Sequence, residues 1–103
     1  MTAEEIIKLT ATEAGKKIAK GELTSVEVTE AFLSKIREEN GKYNCFITIC
    51  DDALDQAREA DRLIKEGKLT GPFAGVPVAI KDNICTKGIK TTCASKMLSN
   101  FVP

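Results

Sequence analysis

The sequence predicts an α/β fold in which a helical hairpin precedes a single β-α-β unit. Two Thr-x-x-Glu capping boxes mark the starts of two amphipathic helices within the first 41 residues. Two short runs rich in β-branched residues then flank a third helical stripe. We therefore divide the chain into N-terminal helices, residues 1–41, and the beginning of an α/β domain, residues 42–103. Its sheet is incomplete, since two strands alone are marginally stable in water.

The first two predicted helices have clear start and stop signals. Thr10–Glu13 has the capping-box spacing, and Gly21 lies where a helix commonly ends. Thr24–Glu27 repeats that spacing, and the second helix is expected to end at Asn40–Gly41. Each helix has apolar residues at helical spacing: Ala11, Ala14 and Ile18 in the first, and Val28, Ala31, Phe32, Leu33 and Ile36 in the second. A freestanding interaction module is the alternative to a hairpin.

The remaining elements form the predicted β-α-β unit. Residues 44–50 are a nearly continuous apolar run, typical of a strand covered on both faces. Asp51-Asp52 begins a third helix, which Gly67 ends, and the strand 76–80 follows with a right-handed crossover. Pro77 lacks a donor, so pairing is expected only beyond it. Two exposed pairs at helical spacing support the third helix: Glu59–Arg62 and Asp61–Lys65.

Charge is balanced overall but unevenly distributed. Residues 1–70 carry eleven Lys or Arg against fourteen Asp or Glu, whereas residues 71–103 carry four Lys against one Asp. No basic stripe alternates with aromatic residues, so this segment is not expected to bind nucleic acid directly.

The cysteines and the N-terminal residues indicate in which cellular compartment the protein is expected. Four cysteines are compatible with two disulfides in a secreted domain, but the acidic start is unlike a signal peptide. We therefore expect free thiols and a cytoplasmic protein. No apolar stretch approaches the roughly 20 residues of a membrane span. A metal site is not expected, because the chain has no His and no Cys-x2-Cys spacing.

Lys81 is the candidate catalytic residue. It is the first charged residue after the apolar run that ends at Ile80. An amine at the mouth of a sheet loses hydration, which disfavours its charged form and allows it to accept a proton. Lysines act as general bases in this way in Ser-Lys hydrolases. Periodicity alone favours the simpler interpretation, a solvated lysine with no chemical role.

The residues on either side of Lys81 strengthen the interpretation that Lys81 is catalytic. Residues 75–83, Gly-Val-Pro-Val-Ala-Ile-Lys-Asp-Asn, followed by Gly88 and by Thr91–Ser95, resemble the start of the amidase signature family. The run from Lys81 to the final Asn-Phe-Val-Pro looks most like one branch, the glutamine-hydrolysing A subunits of tRNA-dependent amidotransferases. The resemblance covers essentially the whole chain, and residues 71–95 are its specific part.

This resemblance implies a Ser-Ser-Lys triad in which Lys81 is the only member present. The family places a bridging and a nucleophilic serine in a Gly/Ser-rich stretch downstream of the lysine. The serines here are Ser25, Ser34, Ser95 and Ser99, and no Gly-Gly-Ser-Ser run occurs. We therefore expect an N-terminal fragment of a larger subunit. Alone, it should release no ammonia from glutamine, since a base without its nucleophile does not run acyl transfer.

The resemblance also implies partners. B and C subunits would complete the complex, and the partner subunit would hold ATP and Mg²⁺. No cofactor is expected in this chain, which lacks a phosphate-binding Gly-rich loop. Glutamine would be the amide substrate of the intact enzyme. Glu-tRNA(Gln) or Asp-tRNA(Asn) would be reached only through the complex. The fragment, with uncovered strands, is expected to self-associate.

Two alternatives stay open on the sequence. One is a fragment of another amidase signature hydrolase that acts on a free amide. The other is a non-catalytic small interaction module that binds through its helical stripes. A reading frame that continues into a Gly/Ser-rich segment would favour either enzyme over the module.

Overall fold

The computed structural model describes all residues, 1–103, and its regular structure is helical. No helix combines the length and the apolar character needed to cross a bilayer. The elements in chain order are α1 (Ala3–Ile6), α2 (Ala11–Ala19), α3 (Ser25–Tyr43), α4 (Ala53–Lys65) and a short 3₁₀ turn (Lys96–Leu98).

The predicted helix starts are confirmed. At α2 both halves of the capping box form: the Thr10 hydroxyl accepts from the Glu13 N–H at 3.1 Å, and the Thr10 N–H donates to the Glu13 carboxylate at 3.4 Å. At α3 the Thr24 hydroxyl accepts from the Glu27 N–H at 3.1 Å. These bonds satisfy donors that a helix start leaves without a partner inside the helix.

The predicted end of α3 is wrong. The helix continues through Asn40–Gly41 to Tyr43 and ends where Asn44 adopts a left-handed conformation with φ of 53°. Glycine in a helix costs only about 1 kcal/mol relative to alanine, so Gly41 does not by itself stop the helix. Asn44 does, because asparagine tolerates the left-handed conformation that closes a helix.

The short helix α1 was not predicted, although its start signal is present in the sequence. The Thr2 hydroxyl accepts from the Glu5 N–H at 3.3 Å, with the same Thr-x-x-Glu spacing that begins α2 and α3. Ile6, at the end of α1, is 4% exposed and belongs to the core. The helix was overlooked because it is a single turn without an apolar stripe.

The core is small and lies where α3 packs against α1 and α4. Val28 of α3 is fully buried at its centre. Only 13 of 103 residues are buried, so few side chains hold the fold together. The central cluster consists of Ile6, Ile18, Leu23, Val28 and Ala31. Partly buried residues packed against it are Ile7, Leu9, Phe32, Ile64 and Val76.

The predicted β-α-β unit is not seen in the structure. Its helix is present as α4, but residues 44–50 and 76–80 form no strands, and the one β-bridge pairs Thr86 with Ile89. A strand needs a ladder of hydrogen bonds to a neighbour. Pro77 offers no donor. The two short segments that flank α4 are therefore irregular and do not pair into a sheet.

One side chain holds the segment 44–50 in place of a neighbouring strand. The Asn40 side-chain amide donates to the Phe46 carbonyl oxygen at 2.9 Å and accepts from the Phe46 N–H at 2.9 Å. The next residue, Ile47, is 59% exposed. Residues 44–50 thus have a fixed point at Phe46 and an uncovered apolar side chain beside it.

The helix α2 approaches the 72–73 turn too closely for any side chain but glycine. A Cβ built on Gly15 would lie 1.9 Å from the Pro72 carbonyl oxygen. Gly15 is buried, and the atom it would meet belongs to the backbone, so a flexible side chain cannot move aside. Gly41 in α3 has no atom within 4 Å of the same position.

Alanine should therefore have opposite effects at these two helical glycines. Gly15→Ala is expected to lower the free energy of unfolding by about 1–3 kcal/mol, since overpacking forces the backbone to shift. Gly41→Ala should raise it by about 0.5–1 kcal/mol, because alanine loses less entropy in a helix. Urea unfolding of both variants at one low protein concentration measures the difference. Equal stabilisation by both would contradict the close approach of α2 to Pro72.

Candidate active site

The chain that leads to Lys81 is anchored to the helices at Gly75 and Val76. The Ser25 hydroxyl donates to the Gly75 carbonyl oxygen at 2.5 Å, and Val76 packs against the core. Gly75 has φ of +84°, and a Cβ there would lie 3.1 Å from Ile64 and 3.2 Å from Ser25. Only glycine combines this conformation with so close a passage over the helices.

Asp61 of α4 holds Ser25 in position for that contact. Its carboxylate accepts from the Ser25 N–H at 2.6 Å and from the Val26 N–H at 3.1 Å. These donors belong to the first turn of α3, whose partial positive charge favours a carboxylate. Asp61 was expected to form an exposed pair with Lys65, and this expectation is wrong. The carboxylate caps a helix 36 residues earlier in the chain instead.

Beyond Val76 the chain leaves the helical surface. Val78 is 78% exposed and Ile80 is 55% exposed. Lys81, the predicted general base, is also exposed and takes part in none of the six ion pairs of the chain. Lys81 thus lies at the end of the apolar run, as its sequence position requires, and is exposed to solvent.

The residue after Lys81 joins two parts of the loop region. The Asp82 carboxylate accepts from the Thr92 N–H at 2.8 Å, from the Thr92 hydroxyl, and from the Ala94 N–H at 3.2 Å. The Asp82 carbonyl oxygen accepts from the Cys93 N–H at 3.0 Å. Three successive backbone donors therefore converge on one residue. We call these contacts between Asp82 and residues 92–94 the Asp82 clamp.

The clamp stabilises the ionised form of Asp82. The hydrogen bond from the Thr92 hydroxyl, followed by the bond from the Thr92 N–H, lowers the pKa of the Asp82 carboxyl. Partial burial opposes this shift, and the Ala94 N–H adds to it. Donors directed at a carboxylate favour its charged state. Thr92 itself is 6% exposed, which shields its bonds from competing water.

The clamp holds a backbone conformation that is otherwise unfavourable. Cys93 and Ala94 have φ of 51° and 57°, both in the left-handed region. For residues other than glycine this conformation costs about 1–2 kcal/mol each. The donors of both residues point to Asp82, so the hydrogen bonds offset part of that cost.

The clamped segment lines an open depression of about 330 Å³. Thr92, Ala94 and Ser95 line it together with Ile47 of the segment 44–50. The other residues that line it are Lys90, Lys96 and Ser99. Part of the segment 91–95, which belongs to the stretch that resembles the amidase signature, thus lies at a surface concavity that Lys81 itself does not line.

The four cysteines do not add a nucleophile–base pair to this region. Cys45, Cys50, Cys85 and Cys93 are free, and the chain has no histidine to activate a thiol. No group of three His, Cys, Asp or Glu side chains is arranged to hold a metal ion.

Comparison with known proteins identifies the class of protein. A family profile described as Amidase matches residues 27–103, which is most of the chain and includes Lys81 and the Asp82 clamp. The chain belongs to the amidase family.

Individual relatives narrow the comparison. The chain is 50% identical over 99 residues to the A subunit of a glutamyl-tRNA(Gln) amidotransferase from Lachnospira eligens, with 95% of this chain and 21% of the relative covered. The A subunit from Agathobacter rectalis is 48% identical over 100 residues, covering 96% of this chain and 20% of that protein. The A subunit from Marinobacter nauticus is 51% identical over 92 residues, covering 88% of this chain and 19% of that protein.

The match is to the N-terminal part of these relatives. The chain spans about a fifth of the length of the curated relatives it matches. No solved structure gives a significant match.

The lowered pKa of Asp82 predicts an acid-sensitive fold. Because the folded-state pKa lies below the unfolded value of about 3.9, the ionised clamp stabilises the fold above that pH. This contribution is lost as pH falls through the folded-state pKa. Asp82→Asn should therefore reduce the loss of stability between about pH 5 and pH 2, measured by urea unfolding.

A second carboxyl must be separated from this effect. The hydrogen bond from Arg62 lowers the pKa of Glu59, which contributes in the same acidic range. Glu59→Gln removes that contribution and leaves the one from Asp82. Asp55→Asn, which removes an exposed ion pair with Arg58 and a carboxylate in the first turn of α4, is the matched control. Identical acid profiles for wild type and Asp82→Asn would show that the clamp does not stabilise the fold.

Proposed function

We propose that these residues form the N-terminal part of an amidase subunit that hydrolyses glutamine. The ammonia would serve transamidation of Glu-tRNA(Gln) or Asp-tRNA(Asn) in protein synthesis. The observation that carries the proposal is identity of about half the residues, over nearly the whole chain, to A subunits of glutamyl-tRNA(Gln) amidotransferases. This favours the tRNA-dependent branch over a hydrolase of free amides, and the family match favours an enzyme over an interaction module.

Lys81 is the proposed general base. It would take the proton of a bridging serine, which in turn activates a nucleophilic serine to attack the glutamine amide carbon. Backbone N–H groups would stabilise the oxyanion of the tetrahedral intermediate. Two serines of this chain have other hydrogen-bond partners: Ser25 donates to Gly75, and Ser95 accepts from the Met97 N–H. The chain also lacks a Gly-Gly-Ser-Ser run, so we propose that both partner serines lie outside these 103 residues.

Lys81 is exposed in these 103 residues, whereas a general base of this kind has to be desolvated. The assignment therefore requires that further protein covers the Lys81 side chain. Val78 and Ile80 expose apolar side chains on the approach to Lys81. We infer that residues 76–80 and 44–50 become strands of the α/β domain that begins at residue 42, when neighbouring strands supply their hydrogen bonds. That cover would also desolvate the Lys81 amine and favour its neutral, proton-accepting form.

The complex would supply the remaining chemistry. We propose B and C subunits as partners, with the partner subunit holding ATP and Mg²⁺, while tRNA is reached only through the complex. Residues 71–103 carry four Lys against one Asp but no aromatic platform, which supports an indirect role in tRNA binding. Four free cysteines support a reducing cytoplasm.

Removal of the Lys81 amine tests the proposed base. In the full-length protein, Lys81→Ala should lower the rate of ammonia release from glutamine by about 100-fold or more. Lys81→Arg should not restore it, because the guanidinium stays protonated. Lys87→Ala, in the same loop region, is the matched control and should retain normal turnover. A near-normal rate for Lys81→Arg would refute the general-base role.

The uncovered apolar residues predict self-association of the 103-residue chain. Each large apolar side chain that stays in water lacks the stabilisation of about 1.5–3 kcal/mol that burial would give. The total stability of a domain is only about 5–15 kcal/mol. We expect a dimer or higher oligomer in sedimentation equilibrium. Substituting Thr at both Val78 and Ile80 keeps β-branching and should weaken association. A concentration-independent monomer with a sharp thermal transition would contradict this expectation.

A further inference from the structure

The backbone on the C-terminal side of Lys81 is fixed by a dense set of hydrogen bonds. The next residue, Asp82, accepts through its side chain from Thr92 and Ala94 and through its carbonyl oxygen from Cys93. The Lys81 carbonyl oxygen accepts from the Ile84 N–H at 3.0 Å, which closes a turn. Both peptide groups that follow the Lys81 side chain therefore have a defined orientation.

The N-terminal side of Lys81 lacks comparable support close by. The nearest anchors are the Gly75 carbonyl oxygen and the Val76 side chain, five or more residues earlier. Val78 and Ile80 between them are exposed. The direction of the Lys81 side chain consequently depends on Asp82 and the contacts it makes.

We propose that Asp82 is a positioning residue for Lys81, holding the backbone of the general base against residues 92–94. The inference rests on the proposed function, since it assumes that Lys81 accepts a proton. Asp82 itself touches no reacting group in this scheme. It acts through the orientation of Lys81, where a displacement of about 1 Å can cost on the order of 100-fold in rate.

The chemistry of the clamp requires a carboxylate. Three donors, the Thr92 N–H, the Thr92 hydroxyl and the Ala94 N–H, point at its two oxygens. An ionised carboxylate has only acceptors, whereas an amide of the same shape directs an NH₂ group at one side. In Asp82→Asn at least one donor therefore faces another donor. The variant changes the clamp without changing the volume of the side chain.

A purely structural clamp and a positioning clamp predict different kinetics. If the clamp only shapes residues 92–95 as a surface for substrate, its loss should raise KM for glutamine. If it orients Lys81, its loss should lower kcat and leave KM nearly unchanged, because the missing interaction acts in the transition state.

The test uses the full-length protein in complex with its partner subunits and measures ammonia release from glutamine. Asp82→Asn is expected to lower kcat by about 10- to 100-fold with KM within about twofold of wild type. Thr92→Val removes the hydroxyl, which donates to Asp82 and accepts from the Ala94 N–H, but keeps the Asp82 carboxylate and its backbone donors, so it should lower kcat less. The double variant should be less impaired than the product of the two single effects, since both act through one contact. Asp55→Asn is the control and should match wild type.

The outcomes separate this inference from the function on which it rests. Full activity of Lys81→Ala would overturn the proposed base, and the positioning role with it. An inactive Lys81→Ala beside an Asp82→Asn enzyme of wild-type kcat would overturn the positioning role alone. An increase in KM without a loss of kcat would also overturn it. If Asp82→Asn does not assemble, the kcat and KM of Thr92→Val decide by the same criteria.

Discussion

The hydrogen bond from the Ser25 hydroxyl to the Gly75 carbonyl oxygen connects the helical core to the chain that leads to Lys81. Asp61 holds Ser25 through the backbone N–H of Ser25, so α4, the start of α3 and the Gly75 backbone meet at one point. Residues from three distant parts of the sequence are needed for it. Since the core itself is small, this polar junction determines where the segment that carries Lys81 leaves the helices.

The part of the chain after that junction is ordered by hydrogen bonds more than by burial. Between residues 77 and 103 only Thr91 and Thr92 are buried, and both are polar. Asp82 supplies the acceptors that keep Thr92 and its neighbours together. Polar contacts of this kind contribute little net energy when water competes for them. The bonds at Thr92 therefore depend on the burial of that residue, which keeps water from competing for them.

Local signals in the sequence predicted the helices well, because a cap and a stripe involve residues only a few positions apart. The starts of α2 and α3 follow from Thr10 and Thr24. The predicted strands are not seen in the structure, because a strand also needs hydrogen bonds to neighbouring strands. The pattern within one segment does not show whether those neighbours are present. Lys81 was singled out by its place after an apolar run and by family resemblance, and its role stays a prediction. Asp82 and Asp61 were missed because their partners lie ten and about thirty-six residues away.

The contact between Asn40 and Phe46 limits how a sheet can grow around residues 44–50. In an extended chain the N–H and C=O of one residue point to the same edge, and those of its neighbours point to the other. Asn40 occupies both groups of Phe46 and so blocks one edge at that position. A strand that approached Phe46 from that side would have to displace the Asn40 side chain first. A side chain in the last turns of α3 thereby protects the Phe46 backbone from pairing with another chain on that side.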